Sequence, residues 1–489
     1  MTEQCNSSID GRLGEADRER EREAIFKQNR FDSGAQTSTL TRANEILLYV
    51  LLVCAFTLGG SAGDASLRIF VICVVASITL PVALLAGAWG AVGRLPLLLR
   101  VALVLIPLVP ALQLVPLPPA IWETLPGRDV PKAVFDLVGA RDLAHPLTLA
   151  PSATLLALLM LLPPYAALFS ASLLDEAARE RCVALFIVLV VASILVGVIQ
   201  MGSAGATFNF YNSAHRRNLI GFFANRNHEG LMLAIGAIFC VAFVNIRALS
   251  KQSAIAWTTV LSITFLATTI GTTSRAALGL MFLGLVASVN LYFIKAQGKR
   301  RGLLLLGAIA VVIALVYLLS FSTVVTNALE RFNDVADNGR GEIWRNSWPL
   351  VSQYFPWGSG IGSFVPAYAA REPLDHVTAY YINSPHNEYL GVLIEMGLPG
   401  MFVLCLFAAA IAVRAVRLVR APNKGGVFAP PAGLAIGLIA LHSIVDYPLR
   451  TPAWIVVFAI LITFFFSGAE ERKRRVRVRM GRDREGMQG

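Results

Sequence analysis

Charged residues are scarce in this chain of 489 residues. Asp, Glu, Lys and Arg make up 15% of it and hydrophobic residues 56%, whereas average soluble domains carry roughly 25% charge. The composition therefore excludes an ordinary soluble enzyme, and the high hydrophobic content excludes intrinsic disorder. Of the 73 charged residues, 28 lie near the two ends, in 1–45 and 470–489, which leaves 45 for the 424 residues between them. The long apolar stretch between them predicts an integral membrane protein.

Cysteine and histidine patterns for metal binding are also missing. The six cysteines form neither a CxxC pair nor a zinc-ligand spacing, so they indicate no zinc site and no disulfide framework. His228 is followed by Glu229, but the sequence there does not continue as HExxH, which argues against a zinc hydrolase. The basic segment 470–480 directly follows an apolar run. This position is typical of an anchor to anionic lipid rather than of a nucleic-acid site.

Apolar segments that could span a membrane recur along the chain. A spanning helix needs roughly 20 mostly apolar residues, and about twelve segments qualify: 45–63, 67–89, 95–115, 152–174, 182–202, 228–246, 254–273, 276–294, 302–320, 389–413, 427–447 and 453–468. The sequence predicts an all-α integral membrane protein with about twelve transmembrane helices. Its transmembrane domain is expected at 45–468, between a polar tail at 1–44 and a basic tail at 469–489.

The basic residues predict the orientation. An even number of spans puts both termini on one side, and 29 of the 42 Lys and Arg residues fall on that side, with 13 on the other. By the positive-inside rule, both termini are expected in the cytoplasm. This leaves two long loops on the outer side, at about 116–151 and 321–388.

Both outer loops are predicted to be partly ordered. The first is rich in proline and should contain a short helix at 131–139. The second is too long for a plain connection, and Trp344 and Trp348 stand four residues apart in its segment 341–354. This spacing favours a helix at the membrane interface, where tryptophan is enriched. A lid helix whose tryptophans only pack against the rest of the protein would show the same pattern. The segment 358–362 is expected to form a turn.

The outer side has an unusual choice of side chains. Twelve of its 13 basic residues are arginine, and five of the six histidines also fall there. A guanidinium matches phosphate oxygens two at a time, and an imidazole exchanges its proton near neutral pH. These residues indicate chemistry on a phosphorylated substrate at the outer face. The alternative is a general preference for arginine in the source organism.

Several short stretches on this face resemble one family in their order and topology. They are Gly221-Phe-Phe-Ala-Asn-Arg-Asn-His228, Thr272-Thr-Ser-Arg275, Gly339-Arg-Gly-Glu-Ile-Trp344, His386-Asn-Glu-Tyr-Leu390 with Glu395-Met-Gly397, and Ser443-Ile-Val-Asp-Tyr-Pro-Leu-Arg450. Over roughly residues 45–467 the chain resembles the O-antigen ligase and polymerase superfamily of bacterial inner-membrane glycosyltransferases.

The resemblance implies a transfer reaction at the periplasmic face of the inner membrane. The donor would be a glycan on undecaprenyl diphosphate, and the acceptor would be a sugar hydroxyl of the lipid A core or of a growing polysaccharide. Arg275 and Arg340 would hold the diphosphate, and His386 would activate the acceptor hydroxyl. No metal and no cofactor are implied, and membrane lipids rather than nucleic acid are the expected surroundings.

Five more residues are predicted to bind substrate. Arg226 and His228 would line the substrate cavity, although Glu229 stands where relatives commonly have a small or apolar residue. The other three are Trp344, Glu395 and Arg450, which lie in the stretches quoted above.

Other roles for these residues remain open at this stage. Arg275 could be an interfacial anchor, Arg340 a partner in a loop salt bridge, and His386 a helix cap. The alternative function is a multi-pass transporter or flippase of lipid-linked glycans. Such proteins usually carry ionisable groups near the membrane midplane. Here these groups cluster toward outer helix ends, which favours an enzyme.

Overall fold

The protein is an all-α multi-pass membrane protein. The computed structural model describes residues 39–62, 67–213, 215, 217–293, 340–374, 377 and 381–468. Within these ranges, eight helical segments are long and apolar enough to cross a membrane, one of them the two consecutive helices over Pro151–Ser172, and three shorter apolar helices accompany them. The predicted span at 302–320 and most of both predicted tails lie outside the described residues.

The helices follow the predicted spans closely. In chain order they are α1 Thr39–Leu58, α2 Leu67–Leu85, α3 Ala88–Val92, α4 Leu97–Gln113, α5 Pro119–Trp122, α6 Asp129–Leu137, α7 Pro151–Leu159, α8 Leu162–Ser172, α9 Glu176–Gly202, α10 Arg226–Arg247, α11 Lys251–Gly271, α12 Arg275–Phe293, α13 Arg340–Tyr354, α14 Phe364–Ala369, α15 Glu388–Arg420, α16 Ala429–His442 and α17 Pro452–Phe466. A two-residue strand pair, β1 Pro116–Leu117 and β2 His145–Pro146, closes the first outer loop.

The centre of the bundle is α10. It packs against α9, α11, α12 and α16, and nearly every residue of its first five turns is buried. A helix that is apolar and buried on all sides belongs in a core rather than at the lipid boundary. Its first residues, 226–229, are polar and buried as well. Burial of such groups is costly unless they are paired, so the outer end of α10 is a natural place for a site.

Several predicted spans differ from the observed helices, and three of the differences affect the start, the middle and the end of the bundle. The first helix starts at Thr39 rather than at 45, and the span 152–174 consists of two helices, α7 and α8. The second of these begins with Leu162 followed by two prolines, which lack the N–H that would continue the helix from α7. The span predicted at 427–447 ends already at His442. The residues after it leave the helix and form a turn at the membrane surface.

The large outer loop is partly helical in its described part, as predicted. Helix α13 covers the segment expected at 341–354, and α6 covers most of the helix expected at 131–139. The turn 358–362 is confirmed, with positive φ at its three glycines. Helix α15 is broken at Gly397, which has φ 56°. A Cβ there would lie 2.1 Å from the carbonyl oxygen of Pro356, so the close approach of the turn requires glycine.

Candidate active site

The carboxylate of Asp446 lies at one end of the bundle, close to three of the residues predicted to form the site. Its side chain is fully buried in the turn between α16 and α17. Asn227 donates a hydrogen bond of 2.8 Å to its Oδ2 atom, and the backbone N–H of Tyr447 donates one of 2.9 Å to Oδ1. The amide of Asn225 lies 3.3 Å from Oδ2. A buried charge needs such partners, because each one offsets part of the cost of leaving water.

Two of the predicted histidines face the same oxygen of Asp446. The Nε2 atom of His228 lies 3.5 Å from Oδ1, and the Nδ1 atom of His386 lies 3.7 Å from it. Both nitrogens are buried and have no hydrogen-bond partner among the described residues. The two rings also meet the ring of Tyr447 edge to face, with centroid distances of 5.4 and 5.0 Å.

His386 is held in place by its neighbours in the chain. Its φ of 49° is unusual for a residue other than glycine, and such conformations persist only where the surroundings enforce them. The indole N–H of Trp344, on α13, donates a hydrogen bond of 2.8 Å to the carbonyl of Pro385. Trp344 therefore positions the loop that presents His386. The N-cap of α15 is Asn387, whose side chain accepts from Leu390, so the alternative role of His386 as the helix cap is wrong.

Arg340 reaches the same carboxylate from the large outer loop. One of its terminal nitrogens lies 3.5 Å from Oδ2 of Asp446. The side chain is about one fifth exposed, in contrast to the carboxylate beneath it. The loop salt bridge considered from the sequence is thus present. A guanidinium has five donors in a fixed fork, a geometry that matches carboxylate and phosphate oxygens.

The surroundings keep Asp446 ionised. Burial favours the neutral acid and raises the pKa, but the imidazoles of His228 and His386 outweigh it and hold the pKa of Asp446 well below its usual range. Burial, together with the Asp446 charge, raises the pKa of Tyr447 to about 12. Asp446 is therefore an anion and Tyr447 a neutral phenol over the whole physiological pH range.

Arg226 and Arg275 are linked through one threonine. Arg226 is buried, and its guanidinium donates a hydrogen bond of 2.9 Å to Oγ1 of Thr273. Thr273 has φ 57° and also accepts from Asn218 at 2.7 Å. Two residues later, Arg275 opens α12 and is exposed. Within the described ranges it has no hydrogen bond or ion pair, so its charge is available at the membrane surface, and both its predicted roles stay open.

Glu395 and Arg450, predicted to bind substrate, contact each other. An Arg450 nitrogen donates a 2.6 Å bond to Oε2 of Glu395, and Glu388 lies 3.6 Å from Nε of Arg450. The other carboxylate oxygen of Glu395 accepts from the backbone N–H groups of Gly362 and Phe364. These bonds join the turn 358–362 to α15. The pair is a structural clamp beside the histidines, and its role in substrate binding stays a prediction.

Loss of this clamp should destabilise the fold. Glu395→Gln leaves the Arg450 charge without its closest partner, and removing one member of a buried pair typically costs about 3–5 kcal/mol. The expected result is a lower midpoint of thermal unfolding in detergent. Glu123→Gln is the matched control, because Glu123 pairs with Arg141 at an exposed position where such pairs contribute little. Equal shifts in both variants would contradict the clamp.

Asp446 was not predicted as a site residue, although it lies in the stretch 443–450 that carries part of the family resemblance. The signals that could have identified it are an acidic residue at the end of an apolar run and the two asparagines, Asn225 and Asn227, at the start of α10. Within the described residues, no three His, Cys, Asp or Glu side chains are arranged to hold a metal ion.

Comparison with known families supports the resemblance seen in the sequence. Residues 259–405 match the family described as O-antigen ligase. The matched segment runs from α11 to the middle of α15 and includes Arg275, Arg340, Trp344, His386 and Glu395. A search of curated proteins found none that matches the chain. This match, on a many-helix membrane fold with these residues at one end of the bundle, supports membership of the O-antigen ligase superfamily.

Proposed function

We propose that this protein transfers a glycan from undecaprenyl diphosphate to a sugar hydroxyl at the outer face of the bacterial inner membrane. The family already implies a glycosyltransferase-like role in surface polysaccharide biosynthesis. One observation carries the finer proposal. His228, His386 and Arg340, from three distant parts of the chain, approach one buried carboxylate to within 3.7 Å. This arrangement provides a base next to a cation that can bind phosphate.

In the proposed reaction the acceptor oxygen attacks the anomeric carbon of the donor sugar. The bond from that carbon to the diphosphate oxygen breaks, and the diphosphate leaves with the electron pair. The acceptor proton passes to Nε2 of His386, because Nδ1 faces Asp446. The Asp446 anion then stabilises the imidazolium that forms, as the carboxylate does in other His–Asp pairs. General-base help of this kind contributes about 10²–10⁴-fold.

The arginines would act on the leaving group. Negative charge grows on the diphosphate as the glycosidic bond breaks, and a fixed cation near it lowers the barrier. Arg340 adjoins the base, and Arg275 stands exposed at the start of α12. Arg226 supports the Thr273 turn that leads to Arg275. The acceptor would be the lipid A core or a growing polysaccharide, and both termini would lie in the cytoplasm.

A reconstituted system separates this proposal from transport. The protein is placed in liposomes with a purified undecaprenyl-diphosphate-linked glycan and a sugar acceptor. The expected result is a glycosylated acceptor and free undecaprenyl diphosphate in equal amounts. Movement of intact donor across the bilayer, with no release of the diphosphate lipid, would contradict the proposal and indicate a flippase.

A substitution by lysine tests whether the arginines act through bidentate hydrogen bonds to phosphate or through their positive charge alone. Arg340→Lys and Arg275→Lys should each lose most of the transfer activity at an unchanged protein level, since a point charge cannot reproduce a two-pronged contact to phosphate. Arg345→Lys is the control, because Arg345 is exposed on the same helix as Arg340. Full activity in both test variants would mean that these arginines only anchor the protein.

A further inference from the structure

The first outer loop carries an amphipathic helix with an uncovered apolar side. Four aliphatic residues at the spacing of one helix face are 60%, 49%, 87% and 68% exposed: Val130, Val134, Leu137 and Val138. No residue of α6 is buried. Such a face in water would be unfavourable, and contiguous exposed apolar patches usually mark an interaction site.

The other sides of α6 show that the helix is held in a defined position. Phe135 stacks on His145 at 3.6 Å and meets Trp122 edge to face. Asp136 pairs with Arg141, which also binds Glu123. The acidic residues Asp129 and Asp136 and the single lysine lie on the side opposite the valines. The apolar residues are therefore exposed on an anchored helix.

The loop that carries α6 begins and ends beside exposed apolar residues at the end of α4. Helix α4 ends at Gln113, and Leu112 and Val115 beside this end are largely exposed. Strand β1 begins at Pro116, directly after this point, and Ile121 on α5 is 48% exposed. The loop returns at Thr148, whose N–H donates to the carbonyl of Gln113. Both ends of the loop thus lie at the membrane surface.

We propose that α6 lies flat on the membrane, with its valines and Leu137 inserted at the boundary between headgroups and acyl chains. The partner is the lipid leaflet on the Asp446 side of the bilayer. A helix with one apolar and one charged face typically buries itself about 5–10 Å deep in this region. A leaflet covers the apolar side and leaves Asp129 in water.

This contact would reach the large outer loop. A Cβ on Gly127, just before α6, would lie 2.4 Å from the ring of Tyr354, the last residue of α13. Leu149 donates a hydrogen bond to the carbonyl of Ser359 in the turn that follows α13. Lipid binding by α6 therefore fixes how far from the membrane surface α13 lies, and α13 is the helix that begins with Arg340.

Spin labels can measure the depth directly. The six cysteines are replaced, and a single cysteine is introduced by Leu137→Cys or, as control, Asp129→Cys in the full chain in lipid nanodiscs. At Leu137 we expect frequent collisions with oxygen, few with a water-soluble nickel chelate, and a depth of about 5–10 Å. At Asp129 we expect the nickel chelate to dominate.

Two results would overturn the proposal. Equal access of nickel to both positions would place α6 in water, and protection of Leu137 from both reagents would mean that protein covers it. If the cysteine-free chain does not fold, a photo-reactive residue at 137 in the otherwise unaltered chain replaces the label. Lipid adducts support the proposal, whereas protein adducts, or none, contradict it.

Discussion

His386→Gln should reduce glycan transfer by about 10²–10⁴-fold, the contribution expected of a general base. Glutamine can hydrogen-bond like the imidazole but cannot accept a proton near neutral pH. His386→Ala should be equally inactive. The measurement is the rate of acceptor glycosylation in liposomes, at a protein level checked by immunoblot. Binding of the donor lipid should survive in both variants, because Arg275 and Arg340 are unchanged.

An active His386→Gln variant would show that the residue only positions other groups. The structure then limits where the base could be. Glu395 is occupied by Arg450 and by two backbone N–H groups, and Glu388 accepts from the N–H of Leu449 next to the same arginine. His228 would remain, because its buried ring nitrogens have no hydrogen-bond partner among the described residues.

Asp446→Asn should cost about 10³-fold or more in transfer rate. The anion orients Nδ1 of His386 and balances the charge that forms on the ring, and its loss in other His–Asp sites is similarly severe. The new amide would also meet existing donors. Asn227 and the Tyr447 N–H both point at the carboxylate oxygens, so one of them would face an NH₂ group and lose its acceptor.

The matched control is Asp142→Asn. Asp142 is exposed in the first outer loop, so its variant should transfer at the normal rate. A thermal unfolding curve separates a chemical from a structural loss, since Asp446→Asn could also weaken the turn between α16 and α17. Normal transfer by a well-folded Asp446→Asn protein would contradict the role of this carboxylate in the site.

Most of the fold could be predicted from the sequence. Hydropathy is a local property, and a run of about 20 apolar residues has few alternatives to a membrane helix. Breaks and helix ends that hydropathy did not predict occur within such runs. Two prolines at the start of α8 separate it from α7, and α16 stops at His442 although apolar residues continue. Both interruptions depend on backbone hydrogen bonds, which hydropathy does not record.

The candidate site was predicted less completely. The motifs brought His228, Arg340 and His386 together correctly, because each lies at an outer helix end or in an outer loop. Asp446 was not included among the site residues because the predicted span 427–447 enclosed it as part of a helix. Trp344 donates to the carbonyl of Pro385 and holds the loop of His386, and its role in binding substrate stays a prediction. A side chain that supports a site and one that touches substrate look the same in a sequence.

The sequence by itself determined the membrane class and the approximate spans, and it predicted the orientation and the type of chemistry, since composition, hydropathy and charge act locally along the chain. Only the tertiary structure decided which polar groups meet. His228 and Asp446 are far apart in sequence, yet their side chains lie 3.5 Å apart, and Glu395 is joined to Arg450. Such pairings form because a low-dielectric interior penalises every unpaired charge, and the packing of α10 against α16 determines which partners lie within reach.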